Sequence, residues 1–360
     1  MSPTTNYQTA SGKMALMSLP HSNRLAQLLD TEFVALIFNF DNVVAFPGKP
    51  GHAILGRHLQ LLRKGLILCP CTTREEFLRA EYIDPIFGMA KKAGLAAEHL
   101  PLFCGSRNGA ITEHAFTGRI LGHHPIVDEI SNAFLKHRLV TALATLSPPN
   151  TAGLWKARYD LFSKMHGIEP DSRSEQHPTT YFDPHGNGKQ YKLTLSWDLG
   201  YINQAMYQGD PAIGMAIDLI KELNRGELPL DLAAMASLTE KILRDDGILL
   251  SVGAATTPHP GLDVYAAGVN TSCTYKAIRH LLVSMHKMGE AELDACILTL
   301  GDSLCHSDDS LLKCGVAVTS QDDWRSGAPF VLSFPRIRSP NRRARMLFSY
   351  LKVKNSPYGL

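Results

Sequence analysis

Four short runs of almost unbroken hydrophobicity constrain this chain more than any other feature: residues 33–38 (FVALIF), 65–71 (GLILCPC), 295–300 (ACILTL) and 314–319 (CGVAVT). A strand with one wet face alternates apolar and polar residues, whereas a strand buried on both faces need not. The runs are too short for fully buried helices and suit a parallel sheet covered on both sides. A helix-like stretch, 52–64, joins the first two runs into a strand, helix, strand unit. Residues 84–93 read as a helix and 100–104 as a third strand. Residues 115–121 read as two extended pieces around the turn Thr117-Gly118-Arg119.

Between 128 and 250 the texture changes. Helix-like segments at 130–146, 154–166, 211–223 and 232–245 are interrupted by a polar loop at 169–188 and an extended segment at 190–197. Strand-like runs return at 247–252 and 261–265, followed by a helix over 274–288 and the last two buried runs. A chain of 360 residues exceeds what one hydrophobic core usually fills. The pattern predicts an α/β protein: a doubly wound, Rossmann-like parallel sheet over 31–130 and 255–345, with a second α/β domain inserted over 131–254. Residues 1–30 are expected as an N-terminal arm and 346–360 as a C-terminal tail.

Composition removes several function classes. With 44% hydrophobic and 19% charged residues the chain is globular, and a net charge of +2 gives no bulk attraction to nucleic acid. No run approaches the roughly 18 to 20 apolar residues of a membrane span. Residues 1–24 lack the pattern of a secretory signal, and seven cysteines, an odd number, suit reduced thiols, so a cytoplasmic protein is expected. Cys69-Pro70-Cys71 lacks the second pair that a zinc site requires, and the histidines show no ligand spacing. Arg336, Arg338, Arg342, Arg343 and Arg345 read as a solvated helix face.

In an open parallel sheet, functional groups gather beyond the carboxyl ends of the strands. The first run delivers Asn39-Phe40-Asp41-Asn42, the second Thr72-Thr73-Arg74, and the run at 295–300 delivers Gly301-Asp302-Ser303, with Asp308-Asp309 close behind. Acidic, amide and hydroxyl groups converging from separate strands suit a hard cation and a phosphate. In the segment 181–192 (YFDPHGNGKQYK), His185, Lys189 and Lys192 are placed to meet an anionic group.

These segments resemble a family. IFNFDNVV, Thr72 after the second strand, GDSLCHSDDSLL, Asn108-Gly109-Ala110 and GVAVT look like the motifs of the haloacid-dehalogenase-like (HAD) phosphohydrolases. The order is that of the Cof-like, sugar-phosphatase-like members, whose C2-type cap is inserted between the second and third motifs. The resemblance implies a Mg²⁺-dependent phosphomonoesterase acting on a small phosphorylated metabolite such as a sugar phosphate through an aspartyl-phosphate. It places Asn39 at the nucleophile position, Asp41 as acid and base, and Thr72 and Lys276 on the phosphoryl oxygens. Asn39, Asp41, Asp302 and Asp308 fall at the metal, and Thr73, Arg74 and Asn108 join the loop residues as substrate contacts.

Two departures stand out. An amide at position 39 is a far poorer nucleophile than a carboxylate and brings no charge to a cation. Gly268-Val269-Asn270 is followed by Thr271 where the family shows lysine, and the nearest lysine is Lys276. The chain therefore reads as a phosphohydrolase blocked at its nucleophile or as a catalytically dead relative that binds a phosphorylated ligand or protein partner.

Overall fold

The computed structural model describes residues 21–41, 43–44, 50–73, 75–126, 179–184, 189–196, 232–255, 261–285, 288–301, 310–319, 330–331 and 340–354. The chain divides into two compact units, Met1–His123 with Val269–Leu360, and His124–Gly268. The first unit opens with α1 (His21–Asp30), β1 (Glu32–Phe33), β2 (Ala35–Asn39), α2 (His52–Arg63), β3 (Ile67–Cys71), α3 (Glu75–Leu78), α4 (Asp84–Lys92), β4 (Phe103–Ser106), β5 (Ile111–His114) and β6 (Ile120–His123). The second unit holds β7 (Thr179–Pro184), β8 (Gln190–Ser196), α5 (Leu232–Asp245), β9 (Leu250–Ala255) and β10 (Gly261–Ala266). The first then resumes with α6 (Ser272–Met285), α7 (Glu290–Asp294), β11 (Ile297–Gly301), β12 (Val316–Thr319), β13 (Phe330–Val331), α8 (Pro340–Tyr350) and β14 (Lys352–Val353).

Eight strands of the first unit form one sheet in the order β13-β12-β11-β2-β3-β4-β5-β6. The pairs from β13 to β4 are parallel, and β4-β5 and β5-β6 are antiparallel. From β2 the chain winds outward to β3 and β4, and on its return it enters at β11 and winds the other way to β12 and β13. The carboxyl ends of β2 and β11 therefore flank the point where the winding reverses, where open α/β sheets bind their ligands. Register pairs Phe38 with Leu300 and Asn39 with Cys71.

Burial on both faces explains the unbroken runs. In β2, Leu36 and Phe38 enter a core with residues of α2, α4 and α8, while Ala35 and Ile37 enter a second core with Tyr275, Ile278 and Leu282 of α6. Successive side chains thus meet opposite layers, and both layers are dry. β3 breaks one rule, because Pro70 sits in a strand flanked on both sides. Leu68 N donates to Pro101 O at 3.1 Å and Thr72 N to Gly105 O at 2.9 Å, but Pro70, between them, has no N–H to give. β3 and β4 accordingly meet at an isolated bridge, Leu68–Leu102, and at Cys71–Gly105.

Residues 347–354, expected within a tail, instead complete the fold. Ala344, Leu347 and Phe348 of α8 are buried in the core, and β14 pairs in parallel with β1. Arg342 and Arg345 are exposed as expected, but Arg343, expected on the same solvated face, is buried at 4% exposure. Arg57 donates from Nε to Phe348 O at 2.9 Å and from Nη2 to Ser349 O at 3.1 Å, satisfying carbonyls at the end of α8.

In the second unit, β7-β8-β10-β9 form an antiparallel sheet. The segment at 261–265 was expected within the parallel-sheet domain, and it pairs here instead, as β10, beside β9 of the inserted unit. Leu262 to Tyr265 of β10 are all buried, and Asp263 among them pairs with Lys192 of β8 at 3.7 Å. The helices expected at 130–146, 154–166 and 211–223 lie outside the described residues. Among the described residues, no helix is long and apolar enough to cross a membrane.

Candidate active site

The site is built outward from the end of β2. Phe40 N donates to Cys71 O at 2.9 Å, extending the β2–β3 contact one residue past Asn39. The Phe40 ring is fully buried against Tyr82, with centroids 5.4 Å apart, and Phe77, at 6.0 Å. This anchor sits between Asn39 and Asp41, both only partly buried, so the two polar side chains flank a residue that packing fixes. From the neighbouring strand, Thr72 Oγ1 donates to Asp41 Oδ2 at 2.8 Å, and Thr72 is itself buried. The carboxylate and hydroxyl picked out by sequence thus meet at two adjacent strand ends.

Beyond β4, Arg107, Asn108 and Gly109 all adopt positive φ, at 50°, 58° and 84°. Ala110 N bonds to Arg107 O at 3.1 Å, closing a left-handed turn with Asn-Gly at its centre, the strongest short hairpin signal a sequence carries. Asn108 therefore has a turn to make as well as any ligand to meet. Its Oδ1 and the Oγ of Ser106 are buried with no hydrogen-bond partner among the described residues. A Cβ at Gly109 would lie 2.4 Å from Asn270 O. Gly109→Ala is expected to destabilise the chain by at least about 2 kcal/mol, through steric conflict added to an unfavourable φ. Urea unfolding of the two chains measures it, and a loss below about 0.5 kcal/mol would mean the turn yields freely.

Asn270 in turn caps α6: its Oδ1 accepts from Ser272 N at 3.0 Å and from Ser272 Oγ at 2.6 Å. Thr271, in the position where the family resemblance expects lysine, is buried and shares a 2.8 Å hydrogen bond with Ser310. Lys276 is exposed on α6, while Thr274, Tyr275 and Ile278 turn inward. Helical periodicity sets it on the opposite side of α6 from those residues.

Of the remaining sequence candidates, Thr73 is half-buried beside Thr72. Lys189 is exposed in the second unit, and Lys192 pairs there with Asp263 at 3.7 Å. Arg74, His185, Asp302 and Asp308 lie outside the described residues. Among the described residues, no group of three or more His, Cys, Asp or Glu gathers as a metal site.

Sequence reading missed two supports of the site. Arg107, only 4% exposed, forms an ion pair with Glu75, the first residue of α3. Its position just before Asn-Gly was the available signal. His58, fully buried, lies 2.6 Å by Nδ1 from Tyr82 Oη, while its Nε2 has no partner among the described residues. Burial, aided by the charge of Arg57, pulls the imidazole down to about 3.

No protein family matches the chain by sequence, and no curated protein does. Solved structures similar to it over most of its length include HAD-superfamily proteins. TM0651 from Thermotoga maritima is 10% identical over 90% of this chain and 99% of its own, with a TM-score of 0.48. BT1666 from Bacteroides thetaiotaomicron, described among phosphatases of the HAD superfamily, is 12% identical over 89% and 96%, also at 0.48. The N-terminally truncated IMP-nucleotidase of Plasmodium falciparum is 10% identical over 95% and 75%, at 0.44.

Proposed function

We propose that the chain is a HAD-type phosphohydrolase scaffold that takes a small phosphorylated metabolite, a sugar phosphate first among them, and is blocked at its nucleophile by Asn39. One observation carries the reading. Asn39 and Asp41 flank the end of β2 beside the winding reversal, and the neighbouring strand supplies Thr72 as a hydroxyl donor to Asp41. A carboxylate at position 39 would attack phosphorus, forming its O–P bond as the ester P–O bond breaks, with Asp41 giving a proton to the departing oxygen. Asp41 would then take a proton from the water that attacks the phosphoryl group, releasing phosphate and restoring the carboxylate. The amide of Asn39 has its nitrogen lone pair delocalised and its oxygen uncharged, so the first step fails while binding survives.

Asn39 and Asp41 present hard oxygen donors of the kind Mg²⁺ takes, and Asp302 and Asp308 follow the neighbouring β11 in sequence. These four residues would hold the ion, which when bound neutralises charge on the phosphoryl group. The inserted domain, residues 131–254 as read from sequence, is the proposed cap that selects substrate.

Asn39→Asp is expected to raise Mg²⁺-dependent phosphate release from at least one sugar, nucleotide or phosphopeptide substrate about a thousandfold or more above the unaltered chain. Silence across that panel from a folded Asn39→Asp chain that still binds a phosphorylated ligand would establish the second reading, a binding protein without turnover. The observation favouring that reading is the buried Thr271 where a lysine would stand, with Lys276 turned outward.

A further inference from the structure

We propose that Arg107 is a positioning residue, which through Glu75 holds Thr72 in place on Asp41. The inference deepens the reading above and rests on it for its catalytic consequence alone. A bulky residue at φ 50° is an outlier whose strain persists only where its surroundings over-determine it. Asn108 and Gly109 suffice for the turn, so the hairpin chemistry does not account for the conformation of Arg107.

What the conformation achieves is an ion pair. The Arg107 guanidinium reaches Glu75, which opens α3 two residues after Thr73. One helical turn further along, Arg79 Nη2 lies 3.8 Å from Glu113 Oε1 on β5, and Glu113 is 2% exposed. Glu75 and Arg79, four residues apart, share a helix face, and the hairpin answers them with opposite charges. The helical run is therefore clasped to the β4–β5 hairpin at two points of reversed polarity.

The run continues past α3 as a π-helical turn over Arg79–Ile83, and it also bears on the first strand. Phe77 and Tyr82 of the same run pack on Phe40, the residue between Asn39 and Asp41. One rigid element thus touches the loop that carries Asp41 through Phe40, and fixes the loop that carries Thr72 through Glu75. Arg107 sets the position of that element against the sheet, and the Thr72–Asp41 hydrogen bond is what its position determines.

A double-mutant cycle on folding tests this without any turnover. Thr72→Val, Asp41→Ala and their combination are measured by urea unfolding in the unaltered chain, and again in one carrying Arg107→Gly with Glu75→Gln. Glycine relieves the left-handed strain and glutamine leaves no unpaired carboxylate, so this partner chain is built to fold. The Thr72–Asp41 coupling is expected at about tenfold in the folding equilibrium constant, falling to within about twofold of none when the clasp is gone. A coupling that survives undiminished overturns the proposal. Should the double substitution prevent folding, the cycle is run in Glu75→Asp, which retracts the carboxylate by one methylene. There too a lost coupling supports the clasp and an undiminished one overturns it.

In the Asn39→Asp background, loss of the clasp is expected to lower kcat about 10- to 100-fold with KM within about twofold. Unchanged kcat with a lowered Tm would mark Arg107 as structural only. An inactive Asn39→Asp chain would count against the proposed function and leave the folding cycle to decide the clasp.

Discussion

In the Asn39→Asp background, Asp41→Asn is expected to lower phosphate release by about 10² to 10⁴-fold, the range a positioned acid and base contributes. Geometry gives the reason. Asp41 is partly exposed at the end of β2, where the proposed substrate's leaving group would meet it, while Phe40 beside it is fully buried and prevents drift. Asparagine keeps the shape and still accepts a hydrogen bond from Thr72, so folding is little affected and the loss falls on kcat. Substrates with good leaving groups, which need no proton, should suffer less than alkyl phosphates. Measuring both classes separates the acid role from simple disruption. An equal loss for both, or none for either, would remove Asp41 from proton transfer.

Acid stability supplies the second large effect, through His58. The imidazole titrates near 6.5 in an unfolded chain and is pulled to about 3 in the folded one. Above pH 6.5 both states are neutral at this residue, and it contributes no pH dependence. Below it the unfolded state takes up a proton that the folded state refuses, so stability falls progressively until pH 3, by ~5 kcal/mol at most. Urea unfolding between pH 7 and 4 should show a steep decline that His58→Phe flattens. Because that substitution strands the Tyr82 hydroxyl, His58→Phe with Tyr82→Phe is the cleaner comparison. Parallel profiles for the parent and the double variant would show that protonation of His58 does not drive the acid response.

The parallel core was legible because its signal is composition at short range. Runs such as FVALIF have no wet face, and their termini name the polar groups at the sheet edge without further information. The same logic identified Asp41 and Thr72, whose contact follows from strand adjacency alone. Two readings failed for physical reasons. The 261–265 segment is buried at four successive residues, Leu262 to Tyr265, so its hydrophobicity carried no mark of which sheet it joins. Residues 346–360 were expected as a tail, yet Leu347, Phe348 and Leu351 are spaced to bury one stripe of a helix and its exit. Asn-Gly marked the position of Arg107 but not its pairing with Glu75, 32 residues away in the sequence.

The proline in β3 divides the large sheet energetically. Continuous parallel registers run from β13 through β11 and β2 to β3, and antiparallel pairing joins β4 to β5 and, across a register shift at Thr112–Glu113, β5 to β6, but between β3 and β4 the ladder is cut where Pro70 has nothing to donate. The sheet therefore consists of two cooperative blocks stitched along a weak seam, and thermal fluctuation opens a protein along such seams before it melts the whole. Asp41 and Thr72 belong to one block and Arg107 to the other. The stitch nearest them, Thr72 N to Gly105 O, lies at the carboxyl edge, where a separation of the blocks would be felt as a loosening of the site rather than a loss of the fold.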